Sequence, residues 1–178
     1  LWGDELPRVV ADGVEVTVIA GPLGEHTPPP PPPRSWAARP DHEVAIWSIR
    51  MAPGARWTLP AAGAGTNRGL YFFRGKGATI GGRALDAHAG VRLRGDAAVE
   101  LIAGGDETEL LLLQGKPIGE PVVQYGPFVM TTPAEIQQAF VDYRRTEFGG
   151  WPWPSDDPVH PRSDDRFAKH ADGRIERP

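Results

Sequence analysis

Short segments in which apolar and polar residues alternate dominate the first two thirds of the chain. Val14-Glu15-Val16-Thr17-Val18 has the two-residue period of a half-buried strand, and Gly21-Pro22 ends it. Residues 1–13, with Trp2, Leu6, Pro7 and the turn Asp12-Gly13, read as a lead-in segment. Glu43 to Met51 and the run Leu110–Leu113 are apolar at consecutive positions, the pattern of strands buried on both faces. Between them lie the short strands Arg56–Leu59 and Leu70–Phe73, with a small-residue loop from Pro60 to Gly69. Further pieces around Val91 and Leu93 and around Val99, Leu101 and Ile102 are separated by Gly75-Lys76-Gly77, Gly81-Gly82, Gly95-Asp96 and Gly104-Gly105. Turn signals at about every eight to twelve residues predict a β-sandwich or barrel.

The pattern changes at Thr132. Thr132-Pro133-Ala134-Glu135 is a capping box with proline at the first helical position, and Ile136, Phe140 and Tyr143 then form one apolar stripe. The expected helix covers 132–148, lies on the barrel and stops at Gly149-Gly150. Residues 151–178 read as a polar tail carrying Trp151 and Trp153, which need something to bury against: this barrel, a second domain or another subunit. Residues 21–40 read as a surface loop containing six consecutive prolines, Pro28–Pro33, an extended polyproline II run. It serves either as a stiff spacer, the favoured reading, or as a ligand for a proline-reading domain.

Composition narrows the chemistry. The 178 residues suit one domain with a real core, and a net charge of −4 gives no electrostatic case for nucleic acid or an anionic membrane. The absence of cysteine excludes disulfides, thiolate metal sites and a thiol nucleophile. With no membrane-length apolar run and no leader-like start, a cytoplasmic protein is the expectation. Of the five histidines, His26, His42, His88, His160 and His170, none stands two or four residues from another, so each reads as a surface or loop residue. His42 and Glu43 would point to opposite faces of a strand. Gly63-Ala64-Gly65 and Gly115-Lys116-Pro117 are not phosphate loops. Ser35, Ser48, Ser155 and Ser163 lie in no nucleophile elbow, and Asp156-Asp157 and Asp164-Asp165 read as solvated.

One stretch is specific. Gly115, Pro117, Glu120, Pro121, Val122, Gln124 and the run Gly126-Pro127-Phe128-Val129-Met130, followed by Thr132-x-x-Glu135, resemble the C-terminal signature of the pirin family. Glu5-Leu6-Pro7, Asp12-Gly13-Val14 and Val18-Ile19-Ala20-Gly21 resemble the start of the pirin C-terminal domain, so the resemblance covers about residues 1–150. The tail from Gly149 resembles an extension of some bacterial members. The resemblance implies a cupin-type jelly-roll β-barrel with one C-terminal amphipathic helix, one half of a two-barrel protein. It places the metal, iron or another divalent ion, in the N-terminal cupin of the same parent chain, held by three histidines and a glutamate. The parent would then be a quercetin 2,3-dioxygenase-like enzyme or, alternatively, a non-enzymatic metal- or redox-sensing regulator with a protein partner. Leu1 in place of Met is read as a cut between the barrels. In this chain the corresponding ligand positions fall near Pro60, Ala62 and Asn67 or Arg68, with no histidine from Ala97 to Ala103. No catalytic, cofactor or metal residue is therefore assigned here.

Overall fold

In a computed structural model that describes residues 3–156 and 159–178, strands follow the alternation closely. Leu1, Trp2 and Asp157 lie outside the described residues. The chain divides into two compact units that meet at Ile118 and Gly119.

The first unit contains ten strands: β1 Arg8–Ala11, β2 Val14–Ala20, β3 Ala45–Met51, β4 Arg56–Leu59, β5 Asn67–Arg74, β6 Ala78–Ile80, β7 Arg83–Leu85, β8 Ala89–Leu93, β9 Val99–Ala103 and β10 Thr108–Gly115. They form a six-stranded sheet, β1-β2-β3-β10-β5-β8, and a four-stranded sheet, β4-β9-β6-β7, with every pairing antiparallel. After β3 the chain changes sheet at each connection except the β6–β7 hairpin, which is a jelly-roll path. Inward residues of both sheets share one core, including Val16, Ile49, Leu70 and Leu112 from the larger sheet and Leu59 and Leu101 from the smaller.

The lead-in segment is not merely a lead-in. Arg8–Ala11 pairs with β2 across the Asp12-Gly13 turn, from Arg8 opposite Thr17 to Ala11 opposite Val14. Asp12 and Gly13 both adopt positive φ, as a tight hairpin turn requires.

The leucine run corrects a second expectation. Leu110 and Leu112 are fully buried, but Leu113 is 39% exposed and Leu111 lies between these extremes. β3 behaves alike: Ala45, Trp47, Ile49 and Met51 point inward and Arg50 outward. An antiparallel sheet buries one face against its partner, so consecutive apolar residues cannot all share the core. The outward ones form cross-strand rows, Leu113 opposite Ile46 and Gly69, and Leu111 opposite Ser48 and Tyr71. Glu43 lies outside β3, in a left-handed conformation (φ 51°) closing the 3-10 turn Pro40–His42.

The connection from β2 to β3 is extended through the proline run. Pro28 is buried, whereas Pro30 to Arg34 are exposed, and the Ser35 amide and hydroxyl both donate to the Pro32 carbonyl.

In the second unit, the hairpin of β11 (Val123–Tyr125) and β12 (Phe128–Met130) precedes helix α1, Pro133–Thr146. The capping box forms as read: the Glu135 amide donates to the Thr132 hydroxyl, and the Glu135 carboxylate accepts from the Thr132 amide at 2.8 Å. The helix ends two residues earlier than expected. Glu147 caps it in a left-handed conformation, and a 3-10 turn, Glu147–Gly149, leads to Gly150. The contacts of the apolar stripe are with the hairpin: Phe140 meets Phe128 edge-on at 4.9 Å and Tyr125 at 5.7 Å. The polar tail contains a further small hairpin, β13 (Ala168–Lys169) with β14 (Ile175–Glu176), turned at Asp172-Gly173. Trp151 remains half exposed and leans on the less exposed Trp153, their ring centres 4.5 Å apart.

The alternation sets a stability contrast between adjacent leucines. Leu112→Ala should cost about 3 kcal/mol in a denaturant titration, and Leu113→Ala less than about 1 kcal/mol. Equal losses would contradict the one-faced assignment.

Candidate functional site

The segments that correspond to the family's ligand positions converge at one end of the sandwich. Pro60 directly follows β4, Asn67 opens β5, and Arg94 to Ala97 belong to the turn between β8 and β9. The chain passes closely here: the Ala62 amide donates to the Gly95 carbonyl at 2.7 Å. A Cβ on Gly95 would stand 2.7 Å from the Thr66 carbonyl oxygen, so glycine is required for the close approach.

Arg68 fills this end. Its residue exposure is only 3%, although arginine is almost never buried without a partner. Nε donates to Gln114 Oε1 at 3.1 Å, Nη1 to the carbonyls of Arg94 (3.3 Å) and Ala97 (3.0 Å), and Nη2 to the Pro60 carbonyl at 2.7 Å. None of these acceptors is charged, and burial lowers the Arg68 pKa below its ordinary value. A guanidinium nonetheless keeps its proton at any ordinary pH.

Beside it lies Glu43. Its carboxylate accepts from the Gly63 amide at 2.8 Å and from the Thr66 hydroxyl, with the Lys116 ammonium 3.9 Å away. The Thr66 hydrogen bond is the main reason its carboxyl sits below the ordinary range. Partial burial opposes that lowering, and the Gly63 amide and Lys116 add to it. Gln114 joins the two groups, donating to the Glu43 carbonyl while it accepts from Arg68.

His42 corrects the surface reading. It belongs to a loop but is buried, its ring stacked on Trp36 at 3.3 Å between centres, with Nδ1 donating to the Trp36 carbonyl at 2.7 Å. Trp36 in turn donates to the Lys116 carbonyl. The signal that could have revealed this was Trp36 itself, an indole beside a proline loop that needs both cover and an acceptor. The other histidines are dispersed: His26 in an exposed turn, His88 edge-on to Phe72, His160 on Phe167, and His170 beside Glu176. Among the described residues, no three His, Asp or Glu side chains gather where they could hold a metal ion.

The chain matches the profile of the pirin C-terminal cupin domain over residues 46–149. It belongs to the pirin family. This pirin domain is 35% identical over 146 residues to a Pseudomonas aeruginosa protein provisionally named a quercetin 2,3-dioxygenase, covering 79% of the chain and 49% of that protein. Against the human protein named pirin, the identity is 29% over 154 residues, covering 84% and 50%. A crystal structure of quercetin 2,3-dioxygenase from Acinetobacter baumannii superposes with a TM-score of 0.67 at 25% identity, covering 82% of this chain and 48% of that one. The fold is therefore the mainly β cupin with one C-terminal helix. The chain spans about half the length of the curated relatives it matches. No helix among the described residues is long and apolar enough to cross a membrane.

The donor chemistry at the barrel end does not fit the family metal. Non-haem iron is held by imidazole and carboxylate groups, whereas Leu59, Pro60, Ala62 and Arg68 supply neither.

The Glu43 cluster gives a pH signature. Its folded carboxyl is harder to protonate than its unfolded one, so its stabilisation is fully present above the ordinary value of 4.5 and is lost as pH falls through the folded value. Glu43→Gln should lower Tm at pH 7 by about 3 °C and by less at pH 3, below the ordinary carboxyl value of 4.5. A difference of the same size at both pH values would assign Glu43 no role as a carboxylate.

Proposed function

We propose that this chain is the metal-free, supporting half of a two-barrel pirin-like protein. Its partner is the N-terminal cupin of the same parent, which holds iron or another divalent metal and performs quercetin 2,3-dioxygenase-type oxidation. The observation that carries this reading is the barrel end occupied by Arg68 and lined by carbonyl groups, where, among the described residues, no three His, Asp or Glu side chains gather to hold a metal. The names of the Pseudomonas and Acinetobacter relatives support the reaction class, and the half-length match supports a companion domain.

The outer face of the six-stranded sheet is the surface assigned to that companion. Tyr71 and Phe73 are each 46% exposed there, and Tyr71 borders a shallow depression of about 480 Å³ with Leu113 and Arg92. The Tyr71 ring lies close against Gly69 and Gly90, where a side chain on either residue would crowd it. A ring laid flat offers its whole face to a neighbour, as a docking surface between barrels requires.

Two measurements test the proposal. The two-barrel parent, supplied with Fe(II), quercetin and oxygen, should consume the flavonoid, and this chain alone should not. A metal-loaded parent without turnover would favour the metal- or redox-sensing regulator instead. Metal analysis of this chain after exposure to Fe(II) and removal of excess should give well below one equivalent, and tight stoichiometric binding would overturn the metal-free assignment.

A further inference from the structure

Arg68 carries an inference that does not depend on what the parent catalyses. Its guanidinium is buried, and every acceptor the structure gives it is a neutral oxygen. These four oxygens come from three segments: Gln114 on β10, Arg94 and Ala97 in the β8–β9 turn, and Pro60 at the end of β4. β5 and β10 belong to the six-stranded sheet, β4 belongs to the four-stranded one, and the β8–β9 turn passes between them. One planar cation thus ties both sheets and the turn that joins them.

We propose that this end of the barrel is an internal guanidinium site, filled by the chain's own Arg68, that locks the two sheets together and is selective for a planar cation over a spherical divalent one. The donors are spread around the guanidinium, with Nε, Nη1 and Nη2 each aimed at its own acceptor, and four of the five N–H groups are used. A lysine ammonium has three donors at one point and cannot reach acceptors so distributed. A divalent ion is equally poorly served. Mg²⁺ and Ca²⁺ need six or more oxygens, usually including carboxylates, and zinc and iron need imidazole, thiolate or carboxylate. Four neutral oxygens meet neither requirement.

Chemical rescue tests the site. Arg68→Ala should lower Tm by roughly 10 °C, because four buried acceptors lose their donors together. Methylguanidinium at low millimolar concentration, well below denaturing levels, should restore part of that loss saturably. It should have no such effect on the wild type or on Leu112→Ala, an unrelated core lesion. Mg²⁺, Mn²⁺ and Zn²⁺ should not rescue. Absence of rescue by methylguanidinium, equal rescue of Leu112→Ala, or rescue by a divalent metal would each overturn the proposal.

Should Arg68→Ala fail to fold, Arg68→Lys provides the second arm. It keeps the charge but not the fork, and should lose most of the same stability, whereas a wild-type Tm would overturn the requirement for a planar cation. These outcomes separate from the metal-free reading. Fe(II) bound by the wild-type chain defeats that reading alone, and failed rescue of Arg68→Ala defeats only the guanidinium site.

Discussion

A guanidinium taken out of water must be given back the hydrogen bonds it leaves behind, and at this barrel end three backbone carbonyls and the Gln114 side chain supply them. That requirement fixes the local path of the chain. The carbonyls of Pro60, Arg94 and Ala97 must converge on one side chain, so the end of β4 and the β8–β9 turn are held in register with β5. Gly95 lets that turn pass against Gly63 and Thr66, which in turn present their amide and hydroxyl to Glu43. Lys116, Trp36 and His42 extend the same chain of contacts to the loop that enters β3. Removing a partner from such a network leaves buried polar groups unpaired, so it is stabilising only while it is complete.

Much of the fold was legible because alternation and caps are local signals. Val14–Val18 carries its period in five residues, and Thr132 with Glu135 specifies a helix start by its own hydrogen bonds. What was not legible depends on partners distant in sequence. Leu110–Leu113 looks uniformly core-like, and only the sheet decides that Leu112 meets the interior and Leu113 does not. Arg8–Ala11 is too short and mixed to read as a strand until β2 supplies its ladder. Glu43 appeared to continue β3 because its left-handed backbone is set by the 3-10 turn before it, not by its side chain. The burial of Arg68 depends on acceptors from three segments, and no spacing in the sequence announces them.

The family assignment and the chemistry rest on different residues. The signature from Gly115 to Met130 identifies the pirin C-terminal cupin, yet it builds a strand end and the hairpin beneath α1 rather than a reactive centre. The barrel end that corresponds to the family's ligand positions instead contains Arg68, a side chain that the protein supplies to itself. Arg68 bonds to Pro60 of the smaller sheet's β4 end and to Gln114 of the larger sheet, so hydrogen bonds from within the chain span the two sheets at this end.

The proline run has a quieter consequence. Residues 21–44 make the long connection into a sheet whose terminal strand, β1, is short and exposes Val10 at 70%. A mobile polar loop of that length could lay itself, or a neighbouring molecule's copy, along such an edge as an extra strand. From Pro28 to Pro33 there is no backbone N–H to offer, so no ladder can propagate through that stretch. Through Pro28–Pro33 the connection is extended yet cannot itself serve as a strand template.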